Sequence, residues 1–136
     1  MTTPPFPAPT TAELAVVSAQ LGRTARGVVG IAARCECGNP TVVATTPRLP
    51  DGTPFPTFYY LTHPAATAAM STLEATQVMP ELSALLAEDE GVAAAYLAAH
   101  EAYLADRAQF GEVGEIDGIS AGGMPSRVKC LHALAG

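Results

Sequence analysis

The spacing of apolar positions changes twice along the chain. Leu14, Val17 and Leu21 stand three and four apart, which predicts an amphipathic helix over 12–21, capped by Thr10 or Thr11 and ended by Gly22. From 26 to 62, valine, threonine and aromatic residues replace the helix formers. That stretch predicts three strands: 28–31 leading into Cys35, 41–46 after the Asn39-Pro40 turn, and 57–61 after Pro50-Asp51-Gly52. Pro54 and Pro56 delay the third strand, because proline has no N–H to give a ladder. Connections this short favour an antiparallel meander. Beyond Pro64 the pattern is helical again: 65–78, then 81–88 restarted by Pro80, then 91–110. On the last of these, Tyr96, Tyr103 and Phe110 recur every seven residues with Leu97 and Leu104 beside them, forming an apolar seam. Five glycines and Pro125 make 111–125 a loop, and 127–134 is a final short helix. The expected class is therefore α+β: a small antiparallel three-stranded sheet followed by a mostly helical C-terminal half. Residues 1–10 carry four of the twelve prolines and no charge, which predicts a flexible tail before a single domain over 11–136.

Composition narrows the function classes. The 136 residues are 49% hydrophobic and 15% charged, enough to bury a core without staples and too apolar for general disorder. Seven Lys+Arg against thirteen Asp+Glu give a net charge of −6, and Lys129 is the sole lysine. That balance argues against nucleic acid and against an anionic membrane surface as partners. A bilayer span takes ~20 apolar residues in a row, and the sequence has no such run. The opening MTTPPFPAPTTAEL has neither a basic start nor an apolar stretch, so a cytoplasmic chain is expected. In that compartment three cysteines argue for free thiols or thiolate ligands over a disulfide framework.

The cysteines carry the first candidate chemistry. Cys35-Glu36-Cys37-Gly38 is a C-x-C-G element at a turn, and Cys130-Leu131-His132 repeats the spacing as C-x-H. Three sulfurs and an imidazole make a tetrahedral zinc set, and soft thiolates also suit an iron–sulfur cluster. His63, at the end of the third strand, competes with His132 for the fourth position. Against this stands the plain alternative of small buried thiols; the charge inside the pair, the glycine after it and Lys129 before Cys130 are poor surroundings for core packing.

Two further segments offer binding groups. Gly122 and Gly123 let main-chain N–H groups approach a ligand, and a helix starting near Pro125 would point its positive end at an anion. Arg127 and Lys129 would supply charge for a phosphate or carboxylate, although a connector with two solvated cations has the same sequence. His100 shares a helix face with Tyr96, Leu97 and Arg107. It is either an acid–base group in a polar pocket or part of a buried network with the tyrosine hydroxyls. His100 and Arg127 are the candidates for a catalytic role, with no reaction specified.

Several long segments resemble a known family. Arg26-Gly27-Val28-Val29-Gly30, the C-x-C-G element, the run from Pro47-Arg48-Leu49-Pro50-Asp51-Gly52 to Thr57, Tyr59-Tyr60-Leu61-Thr62, and Ser120-Ala121-Gly122-Gly123-Met124-Pro125 with Arg127-Val128-Lys129-Cys130-Leu131-His132 are similar to the bacterial family called domain of unknown function 501. The resemblance covers most of the chain from Leu14 to His132 and implies no particular activity. In the family pattern the Leu-Thr-x-Pro element often carries cysteine where this chain has His63, an exchange a metal ligand tolerates. The resemblance thus implies a site of Cys35, Cys37, His63 and Cys130, with His132 nearby or as an alternate ligand. It adds Arg48 to Arg127 as an anion contact, and it implies that relatives run on past Ala135-Gly136. The expectation is a protein binding zinc or an iron–sulfur cluster. The alternatives are a metal-free enzyme or sensor for a small anionic ligand at 122–129, and an interaction module using the tyrosine seam.

Overall fold

Thr10 opens the first helix with a capping box: its hydroxyl accepts from the Glu13 N–H at 3.1 Å, and the Glu13 carboxylate accepts from the Thr10 N–H at 3.0 Å. Helix α1 spans Thr11–Leu21 and ends at Gly22. The computed structural model describes residues 6–136. The part of the expected tail over 1–5 lies outside the described residues. Phe6 and Pro7, also assigned to that tail, pack on the sheet. The Pro7 carbonyl accepts from the Ile31 N–H at 3.4 Å, and the Phe6 ring stands edge-on to Tyr59 with centroids 5.8 Å apart. A Cβ at Gly30 would lie 2.8 Å from the Phe6 Cβ, so only glycine lets that ring so close to the first strand.

The meander is as expected: β1 (Val28–Arg34), β2 (Pro40–Thr45) and β3 (Tyr59–Leu61) pair antiparallel in that order. Successive side chains point to opposite faces of a strand, and both faces are covered. On one, Val43 and Ile31 pack against Val17 of α1. On the other, Ala44 and Phe58 pack against Tyr103, which lies on helix α4 (Glu90–Ala108). The Tyr103 hydroxyl accepts from the Phe58 N–H at 2.5 Å and the Tyr59 N–H at 3.2 Å, tying α4 to the start of β3.

The remaining helices are α2 (Pro64–Ala75), α3 (Val78–Glu88) and α5 (Leu131–Ala135), with a short 3-10 turn over Gly114–Ile116. Several boundaries shift, β3 starting at Tyr59 rather than 57 and α4 ending at Ala108 rather than 110, and two of the shifts have a clear local cause. Helix α2 stops at Thr76, because Gln77 turns left-handed at φ 66, and Pro80 falls in the first turn of α3, where its missing N–H costs nothing. The last helix starts at Leu131 and not at 127. The Arg127 N–H bonds to Gly123 O at 3.1 Å and the Lys129 N–H to Gly122 O at 2.7 Å, within the loop, while the Val128 N–H goes to Ser83 Oγ of α3 at 3.0 Å. Tyr96, Val128 and Leu131 form the third buried cluster, which joins α5 to α4. Tyr96 and Tyr103 of the seam are therefore core, and the interaction-module expectation loses its two largest side chains. No helix among the described residues is long and apolar enough to cross a membrane.

Candidate metal centre

Helix α2 carries Thr67, Ser71 and Glu74 at spacings of four and three, so they share one face. That face meets α5. The His132 ring inserts between them: its Nε2 lies 3.2 Å from the Thr67 carbonyl oxygen and 3.2 Å from Ser71 Oγ. Its Nδ1 lies 2.9 Å from Glu74 Oε1 and 3.9 Å from Cys130 Sγ. Cys130 is extended at φ −151, which brings its side chain back towards the ring two residues on. The sulfur, imidazole and carboxylate atoms all lie within 4.8 Å of one another, each on a half-buried residue. Among the described residues this is the one group of three or more such side chains.

The geometry distinguishes two chemistries. In a cysteine–histidine–acid relay the thiol and the carboxylate use different ring nitrogens. Here both face Nδ1, while Nε2–H is donated to a main-chain carbonyl. A carbonyl on the far nitrogen is the usual support for a metal-bound imidazole, because it fixes the tautomer and leaves the other lone pair free. Cys130 and His132 line a groove of about 630 Å³ together with Thr67 and Ala68 of α2 and Tyr59 and Leu61 of β3; Glu74 lies outside its lining.

Of the five expected ligands, the structure brings together Cys130 and His132. Cys35 and Cys37 are bonded to each other at the β1–β2 turn and belong to no such group; this corrects the expectation of free thiolates and removes two sulfurs from the set. His63 is the N-cap of α2, where its Nδ1 accepts from the Ala66 N–H at 3.4 Å, and it joins no metal-capable group among the described residues. Glu74 was not foreseen. Its signal was available: it is the single charged residue of α2, an otherwise alanine- and threonine-rich helix.

Of the other candidates, Arg48 and His100 have structural partners. The Arg48 Nη2 donates to both carboxylate oxygens of Glu115, at 2.8 and 2.9 Å, and its Nη1 donates to Gly52 O at 2.7 Å. That pairing holds the Glu115 carboxyl below its ordinary pKa. Arg127 and Lys129 are exposed, and the expected helix N-terminus beside them is absent. A Cβ at Gly123 would sit 2.9 Å from Arg127 O and 2.8 Å from Lys129 Cγ; at Gly122 it would sit 3.2 Å from Cys130 O and 3.0 Å from Ala133 Cβ. The close approach these two glycines permit is to their own chain. His100 is buried and its Nδ1 lies 2.7 Å from Ser120 Oγ, joining α4 to the glycine loop. The buried network is made with this hydroxyl and with carbonyls bound by Arg107, and not with the tyrosine hydroxyls.

Fold and cluster together define a small α+β protein with a mixed sulfur, nitrogen and oxygen donor set beside an open groove. Residues 31–136 match the family described as protein of unknown function DUF501, and the chain belongs to that family. Comparison with curated proteins and with solved structures finds no match.

Proposed function

We propose that this protein binds a zinc-class divalent ion through Glu74, Cys130 and His132, with a fourth position open to the groove. The observation that carries this is the convergence of a thiol and a carboxylate on one ring nitrogen whose opposite nitrogen is held by a main-chain carbonyl. Zinc takes sulfur at ~2.3 Å and nitrogen or oxygen at ~2.0–2.2 Å, so tetrahedral neighbours stand ~3.3–3.6 Å apart. The sulfur–nitrogen distance of 3.9 Å needs to close by a few tenths of an ångström, and the carboxylate at 2.9 Å to back off by a similar amount. Iron–sulfur clusters draw on several thiolates, and this group offers only Cys130, so zinc fits the donors better. A zinc ion takes the thiolate and the unprotonated imidazole nitrogen, so binding releases protons and affinity rises with pH. A three-ligand zinc site leaves a position for water or a ligand and supplies Lewis-acid chemistry there.

The test is zinc titration of the full chain against a chromophoric chelator, with single variants. One ion per chain is expected. Cys130→Ser and His132→Ala should abolish tight binding, Ser71→Ala should weaken it by about tenfold through the ring's support, and Cys35→Ser should leave it unchanged. Loss of binding in Cys35→Ser with retention in His132→Ala would overturn the assignment.

A further inference from the structure

The bonded pair at the β1–β2 turn is a second chemical site, independent of the first. Cys35 and Cys37 flank one residue, with Cα atoms 5.2 Å apart. The turn is closed without them: the Cys35 N–H bonds to Asn39 O at 2.9 Å, the Gly38 N–H to Cys35 O at 2.9 Å, and Arg34 Nη1 to Gly38 O at 3.2 Å. Stabilisation by a disulfide grows with the loop it closes, and here that loop contains a single intervening residue, Glu36. Neither sulfur belongs to any buried cluster among the described residues. Cys37 is exposed, while Cys35 is half-buried. A bond that holds nothing together and is open to solvent at one sulfur is arranged for exchange.

We propose that Cys35 and Cys37 are a redox-active dithiol/disulfide pair that exchanges electrons with an external dithiol, entering at Cys37. One thiolate of the dithiol attacks Cys37 Sγ, forming a mixed disulfide and breaking the Cys35–Cys37 bond; Cys35 leaves as a thiolate and takes a proton. The second thiolate of the dithiol then attacks its own partner sulfur in the mixed disulfide, and Cys37 leaves. The external dithiol loses two electrons and two protons and becomes a disulfide, and the protein gains both as two thiols. The reverse sequence lets the reduced protein reduce an external disulfide. The C-x-C turn keeps both sulfurs within reach of each other throughout, because the main-chain bonds persist.

The experiment treats the oxidised full chain with dithiothreitol and, separately, with a peptide carrying two cysteines, and counts thiols by the mass added on alkylation. The count should rise from one, Cys130, to three, with one equivalent of reagent oxidised, and oxidised dithiothreitol should reverse it. Exchange with both reagents defines a general dithiol site, and exchange with dithiothreitol alone restricts it to small dithiols. The melting temperature of the reduced form should stay within about 4 °C of the oxidised form, the shift ~1 kcal/mol produces in a small domain. In a Cys130→Ser background, Cys35→Ser should react with an aromatic disulfide several-fold faster than Cys37→Ser. A pair that resists excess dithiothreitol, a reduced form that unfolds, or equal rates in the two variants would overturn the proposal.

Discussion

Arg107 is expected to be the most costly polar side chain to remove. It lies on α4 with 6% relative exposure. Its Nη1 donates to Pro56 O at 2.8 Å and Ile119 O at 2.6 Å, and its Nη2 to Ile116 O at 2.9 Å. One guanidinium thus holds the approach to β3, the 3-10 turn and the start of the glycine loop against a single helix. Burial lowers its pKa, yet a guanidinium stays charged at neutral pH, so these bonds are charge-assisted. Arg107→Met keeps most of the stem and removes the donors. Each such bond contributes about 1.5–3 kcal/mol, and relief of the guanidinium's own desolvation offsets part of the sum, leaving an expected net loss of about 3–5 kcal/mol. Urea unfolding reads this as a lower midpoint with the slope unchanged. Arg107→Lys keeps the charge but cannot reach three carbonyls, and should fall between. A loss below ~1 kcal/mol for the methionine variant, or wild-type stability for the lysine variant, would refute the clamp.

Three other outcomes are expected. Tyr103→Phe leaves the Phe58 and Tyr59 N–H groups without their acceptor and should cost about 1–3 kcal/mol, read by thermal unfolding. Burial pushes the Tyr59 phenol well above its ordinary pKa of 10.0, and its bond to Asp106 adds to the shift. The raised value means that this contribution is whole below pH ~10 and is lost as pH climbs beyond it, so stability should fall in alkali, less steeply for Tyr59→Phe. Gly123→Ala at φ +86 must push into Arg127 O and should destabilise the fold by at least ~1 kcal/mol in the same unfolding assay, disturbing the segment that carries Cys130.

How much of this could be read in the sequence follows from range. Local patterns were legible: the Thr10 cap, the Gly22 stop, three strands between their turns, and the seven-residue recurrence of Tyr96 and Tyr103. Each depends on neighbours within a turn or a strand. The candidate site depends on α2 docking against α5, residues 74 and 132, and nothing local to Glu74 announces that contact beyond its being the lone charge on its helix. Cys130 and His132 were legible because they are two apart. His63 was misleading because a histidine before a proline-initiated helix serves equally well as a cap. The cysteine pair was misleading in another way. C-x-C allows a shared metal or a shared bond, and the two sulfurs at the turn between Arg34 and Pro40 are bonded to each other.

The most direct measurement is X-ray absorption at the zinc edge on the zinc-loaded full chain, since it counts sulfur neighbours. A centre of Glu74, Cys130 and His132 predicts one sulfur at ~2.3 Å, with nitrogen and oxygen at ~2.0–2.2 Å filling the remaining positions. Two or three sulfurs would place Cys35 and Cys37 on the metal and contradict the assignment, as would a chain that retains no zinc.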